Sequence, residues 1–239
     1  MSHVGGKYRL CRRSSGEIAM QLLVVVCIIA VLLAVFMPTI QSVGEGSRRA
    51  ACASNLRQLG AAVLMYASDY DQALPGAYCA DDGDGDKPGG WVAYSSFPVN
   101  SGNNTFDVVH GSLFPYSKTA AIYVCPDDSE GRSTGDSYAL NSCVLNAQPT
   151  AGQPHWGKNV RRFTSPSRII LLGEEAVGDV ENGSTDDAYL RFQNNTFSER
   201  HSGETNVVFL DGHVKAYFPD DISTKHLQSQ TDEGSDCPP

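Results

Sequence analysis

Residues Ile18–Ile40 read IAMQLLVVVCIIAVLLAVFMPTI, 23 positions without a charge in which only Gln21, Pro38 and Thr39 interrupt the apolar run. At a rise of about 1.5 Å per residue, roughly 20 such residues cross the ~30 Å hydrocarbon core of a bilayer. A buried helix of that length in a soluble domain normally keeps a polar stripe, and this segment has none. A transmembrane helix is therefore expected over 17–40. Lys7, Arg9, Arg12 and Arg13 precede it, with no acidic residue before Glu17. Positive charge beside a first span stays cytoplasmic, so the rest of the chain is expected to be exported. A cleavable secretory signal has an apolar region of about 7–15 residues and a small-x-small cleavage site. This run is longer and leads straight into a second helical pattern.

That second pattern occupies 41–72. Cys52, Leu56, Leu59, Val63, Tyr66 and Tyr70 recur at spacings of 4, 3, 4, 3 and 4, which places them on one face of a continuing helix. Arg48, Arg49, Arg57, Gln58 and Asp69 fill its other faces. The stripe reads as the core contact of a globular domain. Gly44 and Gly46, with Pro38, are positions where the helix is expected to bend or locally melt. Leu74-Pro75-Gly76 is expected to end it.

The exported part, 73–219, is read as a small sheet. Trp91–Phe97, Ile122–Val124, Arg168–Leu172 and Tyr189–Phe192 are strand candidates between turn formers. The best-defined element is a hairpin over Asn206–Tyr217. Two β-rich runs flank Asp211-Gly212, the favoured pair for a two-residue turn whose positions both want positive φ. Residues 220–239 form a polar tail. The fold class is thus α+β: one long N-terminal helix, half transmembrane and half amphipathic, packed by a small antiparallel sheet.

With 239 residues, the chain has room for a real core, and its net charge is −9. Without the four basic residues of 1–16, the balance is 14 basic against 27 acidic side chains, or −13. Such a surface repels phosphate backbones, so no nucleic-acid partner is expected. Of seven cysteines, Cys11 and Cys27 precede the exported part, leaving Cys52, Cys79, Cys125, Cys143 and Cys237. Five allow two disulfides and one free thiol, as suits an oxidising compartment. Connectivity is not legible in the sequence; Cys52 with Cys125 is the first pairing to test. No C-x-x-C pair is present, which argues against a zinc or thioredoxin-type site.

Gly16–Pro38, GEIAMQLLVVVCIIAVLLAVFMP, resembles the N-terminal cleavage and methylation segment of prepilins and type II secretion pseudopilins. Further matches are Cys52–Gly60 running on to Tyr66 and Asp69-Tyr70, Leu113–Tyr116 with Cys125-Pro-Asp-Asp128, and His201 followed after nine residues by Asp211-Gly212. The last resembles a C-terminal signature in a large bacterial group of pseudopilin-like proteins. The resemblance implies a leader peptide, 1–16, removed between Gly16 and Glu17 by a prepilin peptidase that then methylates the new N-terminus. Glycine suits such a site, because an extended backbone can approach the protease closely there. It also implies assembly with copies of itself or sister pseudopilins through the N-terminal helix, on a platform in the inner membrane. The chain departs from the pattern twice. Glu17 stands where the family has an aromatic residue, and Gln21 where it has the glutamate that pairs with a neighbouring subunit's terminal amine. Either the subunit is minor, tip-located or poorly polymerising, or Glu17 supplies the carboxylate.

His201 and Asp211 are open to a catalytic reading, but no nucleophile or G-x-S-x-G elbow accompanies them. The plainer expectation is that Asp211 and Gly212 shape the turn, while His201 caps or hydrogen-bonds the hairpin; metal ligation by His201 is the alternative. Asp82, Asp84 and Asp86 give D-x-D-x-D, the spacing that opens an EF-hand-like loop. Lys87 replaces the glycine expected there, and Ala93 stands where such a loop has its glutamate. Calcium is weighed against a solvated acidic loop; no other cofactor is expected.

The leading expectation is a non-enzymatic structural subunit of a pilus-like or type II secretion pseudopilus-like assembly. It is a single-pass protein of the bacterial inner membrane, in contact with lipid, its N-terminus cytoplasmic and its C-terminal domain periplasmic or extracellular. The rival is a non-polymerising, membrane-tethered binding protein. A third reading is an exported hydrolase using His201 and Asp211.

Overall fold

A computed structural model describes residues 15–80, 90–94, 98–99, 105–145, 156–177, 183–190, 195–223 and 226, the side chains of 15, 17–18, 35–43, 77–80, 156, 177 and 195 excepted. Residues 1–14, 81–89 and most of 220–239 therefore lie outside the described residues. The chain divides into two compact units, 1–46 and 47–239. One helix, α1 (Ser15–Asp69), contributes to both. Its assignment runs unbroken through Pro38, Gly44 and Gly46.

In the first unit, the large apolar side chains from Met20 to Leu33 are all 48–71% exposed. Among the described residues no helix is long and apolar enough to cross a membrane. The described apolar side chains cover 19–34, a helical length of about 24 Å against the ~30 Å of a hydrocarbon core.

The second unit continues after α1 with β1 (Ala73–Ala80), β2 (Gly90–Tyr94), β3 (Phe106–Asp107), α2 (Phe114–Ser117), α3 (Gly131–Thr134), β4 (Tyr138–Asn141), β5 (Trp156–Asn159), β6 (Ile170–Val177), β7 (Tyr189–Leu190), β8 (Asn195–Phe197), β9 (Thr205–Phe209) and β10 (Val214–Tyr217), with short 3-10 turns between some of them. In place of one antiparallel sheet there are two, ordered β3-β2-β1-β5 and β10-β9-β6-β4-β7, with β8 pairing β6. Both are mixed, because β1 with β2 and β4 with β7 run parallel.

The helical stripe is buried as its spacing predicts. Cys52, Leu56, Leu59, Val63 and Tyr66 are at most 2% exposed. Tyr70 is the exception, 43% exposed and stacked on Tyr66. Gly60 lets α1 approach β9: a Cβ there would lie 2.7 Å from Val208 Cγ2. Strand alternation then divides the six-stranded sheet between two clusters. Tyr138, Leu140 and Val208 join the core with α1, while Ala139, Val207 and Phe209 join a smaller one with Ile170, Leu190 and Phe197, as period-2 geometry requires. Trp91 of β2 donates from Nε1 to Ala188 O at 3.1 Å, just ahead of β7. That bond links the two sheets.

Three local expectations are corrected. Asp71 and Gln72, both at positive φ, end the helix. Gln72 N–H donates to Ala67 O, while Val160 N–H and Asn159 Nδ2 hold the carbonyls of Gln72 and Asp71. Leu74-Pro75-Gly76 instead opens β1, where the pairing with β5 slips between Ala73 and Pro75; an irregularity is where a strand tolerates proline. Ile122–Val124 is not a strand. Residues Ala120–Tyr123 form a 3-10 turn that buries Ile122 and Tyr123, so tertiary packing overrides β propensity there. Finally, the hairpin turn is longer than two residues. Phe209 N–H donates to His213 O and Gly212 N–H to Phe209 O, and of the Asp211-Gly212 pair only Gly212 has positive φ (+88°). This is a three-residue loop, a type I turn closed by a left-handed glycine.

Where α1 ends, Tyr116 Oη donates to Asp69 Oδ2 at 2.9 Å. Burial, together with the hydrogen bond to Asp69 and its charge, pushes the Tyr116 phenol up from 10.0 to about 12. A group held protonated in the fold contributes stability that is present below its unfolded pKa and lost as pH rises through the folded value. Urea titrations should therefore show stability falling as pH rises from about 10 towards about 12, with a shallower fall in Tyr116→Phe.

Candidate functional site

The most concentrated polar chemistry of the second unit lies inside it. Alternation along β6 puts Glu174 on the same face as Leu172, towards α1. Glu174 is fully buried, as is His201, which precedes β9. His201 Nε2 lies 3.0 Å from Glu174 Oε1 and 3.5 Å from Cys125 Sγ. Its Nδ1 lies 3.6 Å from Asp127 Oδ2. Asn206 fixes the carboxylate, its backbone N–H donating to Oε2 at 3.0 Å and its Nδ2 to Oε1 at 3.2 Å. Against this pair rests a disulfide: Cys52 of α1 is bonded to Cys125.

The Cys125-Pro-Asp-Asp128 segment is anchored through the side chains of Cys125, Asp127 and Asp128 and by Arg132 Nη1 donating to Pro126 O. Cys125 is tied to α1, and Asp127 accepts from Arg48 Nε at 2.6 Å. Asp128 Oδ2 forms an ion pair with Arg200 Nη1 at 3.0 Å and accepts from Ser184 Oγ at 2.8 Å, while its Oδ1 accepts Gly131 N–H. Arg200 Nη2 also donates to the carbonyls of Glu175 and Gly183. Asp136 is wholly buried nearby, and burial pushes its carboxyl well up, more than the hydrogen bonds from Tyr138 and Ser137 lower it. A second carboxylate group, Glu175 with Asp186 and Asp187, brings three oxygens within 4.8 Å of one another.

The other residues singled out in the sequence fall elsewhere. His201 does not cap the hairpin turn; it closes a bridge with Glu204 and bonds to β6, at the opposite end of β9 from the turn. Asp211 and Gly212 do shape the turn. Asp211 Oδ1 accepts His213 N–H at 3.1 Å and faces His213 Nδ1 at 2.5 Å, and His213 stacks on Phe209. Partial burial raises the Asp211 carboxyl, but the His213 hydrogen bonds and charge outweigh it and leave it lowered. His201 and Asp211 are thus not brought together as a dyad by any described contact. Gly16 lies in the first turn of α1 and is exposed, as is Gln21, and the side chain of Glu17 is outside the described set. The calcium candidates Asp82, Asp84 and Asp86 are outside it too. Cys143 is disulfide-bonded.

Glu174 and Arg200 escape sequence reasoning because their partners are distant in the chain, and Asp127 and Asp128 stood out only within the Cys125-Pro-Asp-Asp128 match, without a role. For Glu174 the signal was Glu174-Glu175, one residue after the apolar run Ile169–Leu172, carboxylates where a buried strand continues.

The fold and its polar centre define an α+β domain whose first helix is stapled by a disulfide to the segment between the 3-10 turn Ala120–Tyr123 and α3. A family model described as a protein of unknown function (DUF1559) matches residues 41–189, and the chain belongs to that family. The family is associated with pilin-like and secretion-linked surface proteins. The match begins after the apolar segment and ends before His201. No curated protein and no solved structure matches the chain.

His201→Ala leaves Glu174 buried without its imidazole and should cost about 3–5 kcal/mol, measured by urea unfolding under oxidising conditions. Cys52→Ser with Cys125→Ser should cost up to about 4 kcal/mol, since the bond closes a loop of 73 residues.

Proposed function

We propose that the protein is a structural subunit, without turnover, of a pilus-like or type II secretion pseudopilus-like assembly. Residues 17–40 hold it in the bacterial inner membrane, with the leader 1–16 on the cytoplasmic side and the acidic domain exported. The supporting observation is the apolar surface from Met20 to Leu33, exposed on every large side chain. Burying a side chain of this kind is worth roughly 1.5–3 kcal/mol, so the run together is comparable with the ~5–15 kcal/mol that holds a domain folded. Lipid covers such a surface in storage, and the same segment of sister subunits covers it in a filament. The pilin-like association of the family points the same way.

Gln21 favours a second reading. In hydrocarbon an unpaired charge is expensive, and an amide cannot neutralise a neighbour's ammonium as a carboxylate does. A permanently tethered binding protein has no such need.

Cys27 separates the two readings, being exposed and the one free thiol among the described residues. For the filament subunit, intact mass should show a chain beginning at a methylated Glu17, and membrane-phase oxidation should link Cys27 to Cys27 between subunits. A chain that keeps Met1 and yields no adduct is the tether.

A further inference from the structure

Four metal-binding side chains converge where the fold holds a disulfide. One donor atom each from Cys52, Cys125, Glu174 and His201 lies within 4.8 Å of the other three, and all four residues are buried. Zinc takes thiolate at ~2.3 Å and imidazole nitrogen at ~2.0–2.1 Å in a tetrahedron, which sets neighbouring donors roughly 3.3–3.8 Å apart. His201 Nε2 is already 3.5 Å from Cys125 Sγ and 3.0 Å from Glu174 Oε1. Both contacts are made by the same nitrogen, so both donors lie on the side where a metal bound to Nε2 would sit.

The surroundings also fit. A zinc-bound histidine usually presents its other nitrogen to a carboxylate, which fixes the tautomer and the ring. His201 Nδ1 faces Asp127 Oδ2 at 3.6 Å, and Asp127 is held in turn by Arg48 at 2.6 Å. Asn206 orients Glu174 with two donated hydrogen bonds. The donor set of two thiolates, one imidazole and one carboxylate suits zinc rather than calcium or magnesium, which want oxygen ligands. The missing C-x-x-C spacing does not count against the site, because its four donors come from four separate segments.

We propose that in the reduced chain Cys52, Cys125, Glu174 and His201 bind one Zn2+, and that formation of the Cys52–Cys125 disulfide excludes it. A dithiol or phosphine reductant supplies two electrons, two protons end on the sulfurs, and the reductant is oxidised. Zinc then displaces both thiol protons to solvent. Glu174 binds as carboxylate and His201 through Nε2, with its proton on Nδ1 towards Asp127. On reoxidation, a small-molecule disulfide accepts two electrons from the thiolates and leaves as two thiols with protons from solvent, the Cys52–Cys125 bond re-forms and the ion is released. The site is thus closed and structural, a substitute staple between α1 and β6.

The test uses the full chain in detergent, reduced with a phosphine and titrated with Zn2+ against a chromophoric chelator, and separately with Co2+. Reduced wild type should take up one more zinc than the Cys52→Ser/Cys125→Ser variant, which keeps every other cysteine. Its cobalt form should show a thiolate-to-metal charge-transfer band. The oxidised chain should lack both the extra zinc and the band. His201→Ala should abolish the extra uptake, and Asp127→Asn, which alters a positioning residue, should keep the band while weakening affinity roughly 10–100-fold. Should reduction loosen the fold, zinc must restore near-ultraviolet circular dichroism in wild type and not in His201→Ala. Equal uptake by wild type and the double serine variant, absence of the band, or, where reduction loosens the fold, no zinc-dependent gain of structure would overturn the proposal.

Discussion

In the interior of the domain, the imidazole of His201 turns one nitrogen, Nε2, towards both a buried carboxylate on β6 and the sulfur of Cys125, which is disulfide-bonded to α1. Separating His201 from Glu174 would strand a polar group in a medium that cannot solvate it. The contact therefore constrains every element that carries one of its members. It sets how α1 meets β6, where the segment after Cys125 runs, and where the chain enters β9. The second layer of bonds, Asp127 with Arg48 and Asp128 with Arg200, ties the same segments together again.

The amphipathic half of α1 and its buried stripe were legible in the sequence because their pattern is periodic. Cys52, Leu56, Leu59, Val63 and Tyr66 are one helical face whatever packs on it. The β9–β10 hairpin was legible for the same local reason, although its loop was not. A type I turn with a left-handed Gly212 uses the same Asp-Gly pair as a two-residue turn, and only the bond from Phe209 N–H to His213 O distinguishes them. The sheet order was out of reach. The parallel pairings of β1 with β2 and of β4 with β7 are decided by long connections that carry no pattern of their own. Ile122–Val124 has strand composition, yet the neighbouring disulfide and the buried ring of Tyr123 hold a 3-10 turn in its place.

The polar centre shows the limit of sequence reading most clearly. His201 stood out by its spacing from Asp211-Gly212, but its partner is Glu174, 27 residues earlier in the chain. The spacing reports that a fixed length of chain joins β6's partner to the hairpin turn, not that its two ends meet. Chemistry built from distant segments has no signature until the fold assembles it.

The two units place different demands on their surroundings. The second buries its stripe and satisfies most of its interior polar groups within itself, whereas the first leaves its apolar side chains uncovered. The claim that these residues live among acyl chains and sister helices is tested most directly by extracting cell membranes at alkaline pH. The account predicts that the full-length chain stays in the pellet and enters solution only with detergent. A monomeric, folded chain recovered in the aqueous fraction, with residues 17–40 still attached, would contradict it.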